Sequence, residues 1–230
     1  MLVRGKREDE RLVQMRRLLM SSACLVLLSL AVGACSIVGE RGSGVMATET
    51  RDVSGFNEID LNGSARVSVA VTGTESLTVE AEDNILPLLT TEVTNGRLEL
   101  GAKQSISPTR EIVYTITVVS LKAIAVSGSG SVMATDIDGQ AFDVDISGSG
   151  IVMPSGVSES LDLSISGSGV FEGEALVSVT GTVSVSGSGE AVVNVTDDLD
   201  VQVSGSGNVQ YFGDPGVSVS ISGSGDVSKR

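Results

Sequence analysis

The chain has no histidine and no tryptophan, only two cysteines, and aromatic residues at 3% of its 230 positions. Without histidine there is no imidazole to serve a Ser or Cys nucleophile as base, and no neutral ring nitrogen to bind a metal. A triad hydrolase and a His-ligated zinc site are therefore excluded. With so few aromatics, a core must be built from Val, Ile, Leu and Ala, and Val is a residue that sits well on a pleated sheet. Basic residues are also scarce: 15 Lys and Arg stand against 29 Asp and Glu, a net charge of −14. Such a chain repels polyanions, so nucleic acid is not expected as a partner. What is present is 41% hydrophobic residues and 28 glycines, which together describe a real core with many corners.

Residues 15–35 read MRRLLMSSACLVLLSLAVGAC: two arginines, an apolar run of signal-peptide length, and small residues directly before a cysteine. This is the layout of a secretory signal, too short for a comfortable membrane span. Val32-Gly33-Ala34-Cys35 resembles the bacterial lipobox, in which the cysteine receives a diacylglycerol and the preceding segment is removed. Cys35 is then a lipid anchor and residues 1–34 a signal segment. Cys24 would leave with the signal, so no intramolecular disulfide is expected. The first fourteen residues mix both signs of charge and do not resemble the start of a signal, which makes Met15 a better start than Met1. From Cys35 onward nine basic residues (15 less 6) face 26 acidic ones (29 less 3), a net charge near −17. Residues 35–53 are polar, contain glycine and lack a clear period, as suits a tether. Ser36 after the cysteine fits sorting to an outer membrane if the organism has two membranes.

The second half repeats. Ser-Gly-Ser-Gly begins at Ser127, Ser147, Ser166, Ser186, Ser204 and Ser222, with spacings of 20, 19, 20, 18 and 18. Its glycine pairs are Gly128 and Gly130, Gly148 and Gly150, Gly167 and Gly169, Gly187 and Gly189, Gly205 and Gly207, and Gly223 and Gly225. Directly before each copy stand Val126, Ile146, Ile165, Val185, Val203 and Ile221, and two positions earlier Ile124, Val144, Leu163, Val183, Val201 and Val219. Between them lie Ala125, Asp145, Ser164, Ser184, Gln202 and Ser220, polar in five of six. That is the period-2 alternation of a strand with one buried face. A further apolar column, Val132, Val152, Phe171, Ala191, Val209 and Val227, follows each corner.

Two all-β architectures accommodate the pattern. In an antiparallel meander or sandwich each Ser-Gly-Ser-Gly is a hairpin turn. In a parallel β-solenoid each period of about 18–20 residues is one coil, and equivalent corners stack about 4.8 Å apart. Near-identical aligned columns favour the solenoid, where like stacks on like and serines can form hydroxyl ladders. The domain spans residues 54–230, with a less regular part at 54–120 and the repeated coils at 121–230. In the first part NEIDL, RVSVAV and SLTVEAE alternate, Asn95-Gly96 is a hairpin signal, and DNILPLL breaks the alternation as a short helix or cap. At the other end Lys229 and Arg230 are placed to keep the last edge from pairing with a neighbour.

The stretch FNEIDLNGSARVSVAVTGTESLTVEAEDNILPLLTTEVTNGRLELGA, the Ser-Gly-Ser-Gly coils, and NVQYFGDPGVSVSISGSGDV together resemble the auto-transporter adhesin head GIN domain family, found in exported and lipid-anchored bacterial proteins. The resemblance covers about residues 54–228. One departure is VVSLKAIAVSGSG, where relatives often carry a proline just before the leucine. The resemblance implies a right-handed β-helix and brings no catalytic residues with it.

The corners do not fit a phosphate loop, which needs glycines opening onto a helix, usually with a lysine. Calcium-binding solenoids carry Asp inside every turn, whereas here an Asp follows only the last corner, at Asp226. Asp143, Asp145 and Asp162 are expected to lie near one another on the outer face of neighbouring coils, a carboxylate grouping that a polysaccharide-acting β-helix could use, but no basic residue accompanies them. The leading expectation is a non-enzymatic envelope lipoprotein without cofactor, held to the membrane through Cys35 and presenting a β-surface to a surface glycan or an envelope protein. The alternative is a structural or stress-linked envelope protein with a protein partner.

Overall fold

The computed structural model describes residues 39–230. The signal segment, Cys24, Cys35 and the choice between Met1 and Met15 lie outside the described residues. The described residues form one compact unit.

The less regular part supplies nine short strands: β1 (Glu40–Arg41), β2 (Met46–Arg51), β3 (Glu58–Gly63), β4 (Arg66–Val71), β5 (Ser76–Glu82), β6 (Leu89–Thr94), β7 (Arg97–Ala102), β8 (Ile106–Ser107) and β9 (Val113–Val118). The repeat supplies β10 (Ala123–Gly128), β11 (Ser131–Gly148), β12 (Ile151–Gly167), β13 (Val170–Gly187), β14 (Glu190–Gly205), β15 (Asn208–Phe212), β16 (Gly216–Gly223) and β17 (Asp226–Lys229). Except for β1 and β8, which pair with each other, all belong to a single sheet of fifteen strands wound into a solenoid.

From β10 to β17 every pairing is parallel, which rules out the meander, where neighbours would run antiparallel. The register is that of the sequence columns: Ile124 lies on Val144, Val144 on Leu163, Leu163 on Val183 and Val183 on Val201. These side chains are at most 1% exposed, so the columns form a continuous aliphatic core down the axis. Phe142 and Phe171 are fully buried within it.

The corners follow from two different steric demands. The first glycine of each copy has φ between +116° and +132°, a region closed to ordinary side chains. A Cβ there would also stand 2.1–2.7 Å from the carbonyl oxygen of the glycine one rung below. The second glycine meets a side chain instead: at Gly169 a Cβ would lie 2.4 Å from Cγ2 of Ile146, and at Gly189 2.5 Å from Cγ2 of Ile165. Backbone hydrogen bonds run through the turn unbroken. The second serine of each copy donates to the first glycine's carbonyl below (Ser149 to Gly128, Ser168 to Gly148, Ser188 to Gly167) at 2.8 Å.

The serines stack in register, but the expected hydroxyl ladder does not form at the corners. They are exposed, so their hydroxyls are free to bond water and nothing presses equivalent oxygens towards each other across the rung. The side-chain pair that does bond is Ser158 with Ser178, 2.8 Å apart and buried on another flank.

The N-terminal part departs from sequence order. β3 pairs parallel with β10, setting Asn62-Gly63 on Ser127-Gly128, so Asn62-Gly63-Ser64-Ala65 is a degenerate first corner. The coil below it comes from later in the chain: β7 pairs with β3, and β9 with β4. Three antiparallel strands then close this end, β6 on β7, β5 on β9, and β2 on β5. Asn95 and Gly96, both with positive φ, make the expected hairpin between β6 and β7. Leu86–Leu88 is a 3-10 turn, in keeping with the break read at DNILPLL.

The stretch read as a tether is in part docked on the fold, since Met46–Arg51 is paired along its whole length. Arg51 Nη2 donates to the carbonyl of Leu86 at 2.9 Å and pairs with Glu49 at 3.2 Å. Deeper in this cap Glu82, 1% exposed, accepts from the Gly44 N–H (2.6 Å), the Thr109 N–H (2.8 Å) and the Thr109 hydroxyl (2.5 Å). Those hydrogen bonds, led by the Thr109 hydroxyl, hold its carboxyl below the ordinary range against the opposing effect of burial. A Cβ on Gly42 would sit 1.8 Å from the carboxylate, so any side chain there would displace Glu82 from its hydrogen bonds. Gly42 to Gly44 therefore wraps a buried carboxylate and ties the supposed tether to the domain.

Candidate binding face

Along β10 to β16 the side chains that alternate with the core columns point outward and form three rows. The row nearest the strand starts reads Glu58, Ala123, Asp143, Asp162, Thr182, Asp200, Ser218. The next reads Asp60, Ala125, Asp145, Ser164, Ser184, Gln202, Ser220, and the last, at the corner itself, Asn62, Ser127, Ser147, Ser166, Ser186, Ser204, Ser222. Parallel in-register pairing fixes the rung spacing at about 4.8 Å, and alternation along the strand fixes the distance between rows. The result is a rigid lattice of hydroxyls, each both donor and acceptor.

The lattice has two zones. Towards the N-terminal coils it is acidic: Asp143 lies in register with Asp162, and its carboxyl is raised by burial first, then by Asp162, Asp145 and Glu58. The three carboxylates expected together are thus brought together. The structure adds Glu58 and, through it, a cation, because Arg97 binds Glu58 with Nε and Nη2 at 3.0 Å. Among the described residues, no three acidic side chains are close enough to hold a metal ion. Towards the C-terminal coils the middle and corner rows are uncharged, with Asp200 the one carboxylate left in the first row, and Ser164, Ser166, Ser184, Ser186, Gln202 and Ser204 line a shallow trough of about 360 Å³.

The twelve corner glycines stand at the turn beside this face, the first of each pair partly or fully exposed. Their part is to let the backbone turn at the same place on every rung, which keeps the serine row straight. Cys35 is not among the described residues. Asp200, Glu58 and the buried Ser158–Ser178 pair were not singled out in sequence. Register carries Asp200 and Glu58 into the acidic row, and Asp200 has the period-related position of Asp162 as its one signal.

Solved structures share this architecture. An adhesin described as putative from Bacteroides fragilis is 25% identical, with 84% of this chain and all of that chain aligned at a TM-score of 0.65. Another from Parabacteroides merdae is 18% identical over 83% of this chain and 98% of its own, at 0.54. A structure described as a putative lipid binding protein, from Parabacteroides distasonis, is 24% identical over 83% and 98%, at 0.51. The last two show the fold alone. No curated protein matches the sequence. Residues 55–215 match the family described as "Putative auto-transporter adhesin, head GIN domain", which takes in the cap apart from β1 and β2, the degenerate first corner and the coils up to β15, and the chain belongs to that family.

Proposed function

We propose that the protein is a non-enzymatic lipoprotein of the cell envelope, anchored through Cys35, whose serine-rich outer face binds a neutral surface glycan in adhesion. The observation that carries this reading is the uncharged hydroxyl trough formed by the middle and corner rows of the C-terminal coils. A polymer of repeating hydroxylated units can meet such a surface with many small hydrogen bonds, each weak alone and additive along a rigid array. Membership of an adhesin-type family supports the same reading. The signal layout and the lipobox-like Val32-Gly33-Ala34-Cys35 support export and anchoring.

The acidic zone serves as a flank that repels anionic polymers and so directs binding to neutral ones. A polysaccharide-cleaving role is less well supported, since the carboxylates stand exposed on the outer face of the sheet and the cation brought near them, Arg97, is engaged by Glu58.

Two experiments test the proposal. Labelling with a palmitate analogue should mark the wild-type chain and not Cys35→Ala; label retained in the variant overturns the anchor. On a glycan array the protein should bind neutral glycans, and the triple change Ser184→Ala, Ser186→Ala, Ser204→Ala should weaken that binding about tenfold or more while leaving the β-sheet circular dichroism unchanged. Binding confined to anionic glycans, or unaffected by the triple change, overturns the assignment of the face.

A further inference from the structure

We propose that the C-terminal end of the solenoid is an interface with a second copy of this chain, in which β16 of each copy pairs antiparallel about a two-fold axis through Val219. This stands whether or not the serine face binds a glycan.

The core runs out at β16. Val217, Val219 and Ile221 lie in register on Leu199, Val201 and Val203, which are 0–2% exposed, yet they themselves are 39%, 46% and 44% exposed. They occupy core columns with nothing stacked on the next rung. The strand's outer backbone edge is likewise open, a template for another strand.

Nothing guards that edge. Among the other peripheral strands β2 carries Glu49 and Arg51, β6 carries Glu92, and β17 carries Asp226 and Lys229, charges that discourage edge-to-edge pairing. Gly216–Gly223 has neither charge nor proline. The basic residues expected to protect this end are engaged within the chain: Lys229 pairs with Asp214, and the Arg230 guanidinium lies 5.7 Å from the centre of the Phe212 ring.

The strand is self-complementary. Its centre reads Val217-Ser218-Val219-Ser220-Ile221. Antiparallel pairing of Val219 with its own mate sets Val217 opposite Ile221 and Ser218 opposite Ser220, because residues directly opposite share a sheet face. Aliphatics then meet aliphatics on the core side, and the hydroxyl rows continue across the joint. A slip of one residue would place valine against serine along the whole strand.

Charge selects the place. Between Lys122 and Lys229 the sequence has 14 acidic residues and no basic one, so two copies repel along their flanks and can approach at the neutral β16. Stacking head to tail would instead bring β16 to the N-terminal cap, where β2 and β6 present charge. The isologous joint closes on itself as a dimer and does not propagate.

The test uses the full chain. Sedimentation velocity at tens of micromolar should show a dimer, and Val219→Lys, which sets two ammonium groups against each other on the axis, should weaken it about a hundredfold or more with unchanged circular dichroism. With Cys24 and Cys35 replaced by serine, Val219→Cys should form a disulfide-linked dimer on mild oxidation, and Val179→Cys, an exposed aliphatic on another flank, should not. A monomeric parent, a dimer indifferent to Val219→Lys that also fails to cross-link at Cys introduced for Val219, or an open-ended series of oligomers would overturn the proposal.

Discussion

The two ends of the solenoid receive the same core columns and treat them in opposite ways. At the N-terminal end the coil made by β7 and β9 lies outside β3 and β4, and antiparallel β2, β5 and β6 close over it. Leu98 and Leu100 of that outer coil are fully buried. At the C-terminal end the corresponding aliphatics of β16 stay close to half exposed, so each loses on the order of 1 kcal/mol of the stabilisation that full burial would give. Parallel stacking has no stop signal of its own, because every finished coil offers the same surface to the next. Stopping it takes a reversal of strand direction, a polar latch such as Glu82, or another molecule.

The largest effect should come from a corner glycine in mid-stack. Gly167→Val forces a β-branched residue to φ +123° and its Cβ to within 2.6 Å of the Gly148 carbonyl oxygen. Denaturant unfolding should show a loss of about 3 kcal/mol or more. The matching change on the last rung, Gly223→Val, should cost less than about 1 kcal/mol, because that rung can peel away without disturbing the coils below. Equal losses at the two positions would mean that the solenoid unfolds as one unit and that the ends are not independent.

A second effect belongs to the cap. Because hydrogen bonds lower the Glu82 carboxyl in the folded state, its contribution to stability is complete above the unfolded value near pH 4.5 and drains as pH falls through the lowered value. Glu82→Gln should remove that contribution at neutral pH, setting amide donors against the Thr109 donors. Hydrogen exchange should then quicken about tenfold or more across Met46–Arg51 and stay unchanged in β13. In the unaltered chain the same selective loss should appear on acidification. Uniform loss over both regions would refute a separate cap.

The smallest effects separate two kinds of serine. Ser178→Ala should cost about 1 kcal/mol, since it leaves the buried Ser158 hydroxyl without its partner. Ser186→Ala, at an exposed corner, should stay within about 0.5 kcal/mol.

The repeated coils were legible because in-register stacking writes itself into sequence as columns: Val126, Ile146, Ile165, Val185 and Val203 are read down a page much as they sit in space. The carboxylates Asp143, Asp145 and Asp162 were legible for the same reason. The first corner was not. Asn62-Gly63-Ser64-Ala65 differs from the repeat at its first and last positions, and the next copy begins 65 residues later, at Ser127. Ala65 is buried where the repeat has glycine, and the coil below it departs from the repeat between β7 and β9, so the contact that forbids a Cβ elsewhere is missing. The order of stacking was also hidden, because β3 lying between β7 and β10 is a long-range choice with no local signal. Pairing likewise decides the role of residues 46–51: their polar sequence suits a tether equally well, and only β5 makes them a strand.

The hydrogen bonds that pass through the corners carry one more consequence. Since Ser168 bonds Gly148 as Ser149 bonds Gly128, and each rung touches only the rungs on either side, one coil can be added or removed without altering the geometry of the others. Length is then the natural variable of this molecule. Each unit of about 19 residues moves the two ends apart by about 4.8 Å, so a gene that duplicates or loses a single repeat resets how far the face reaches from the cap.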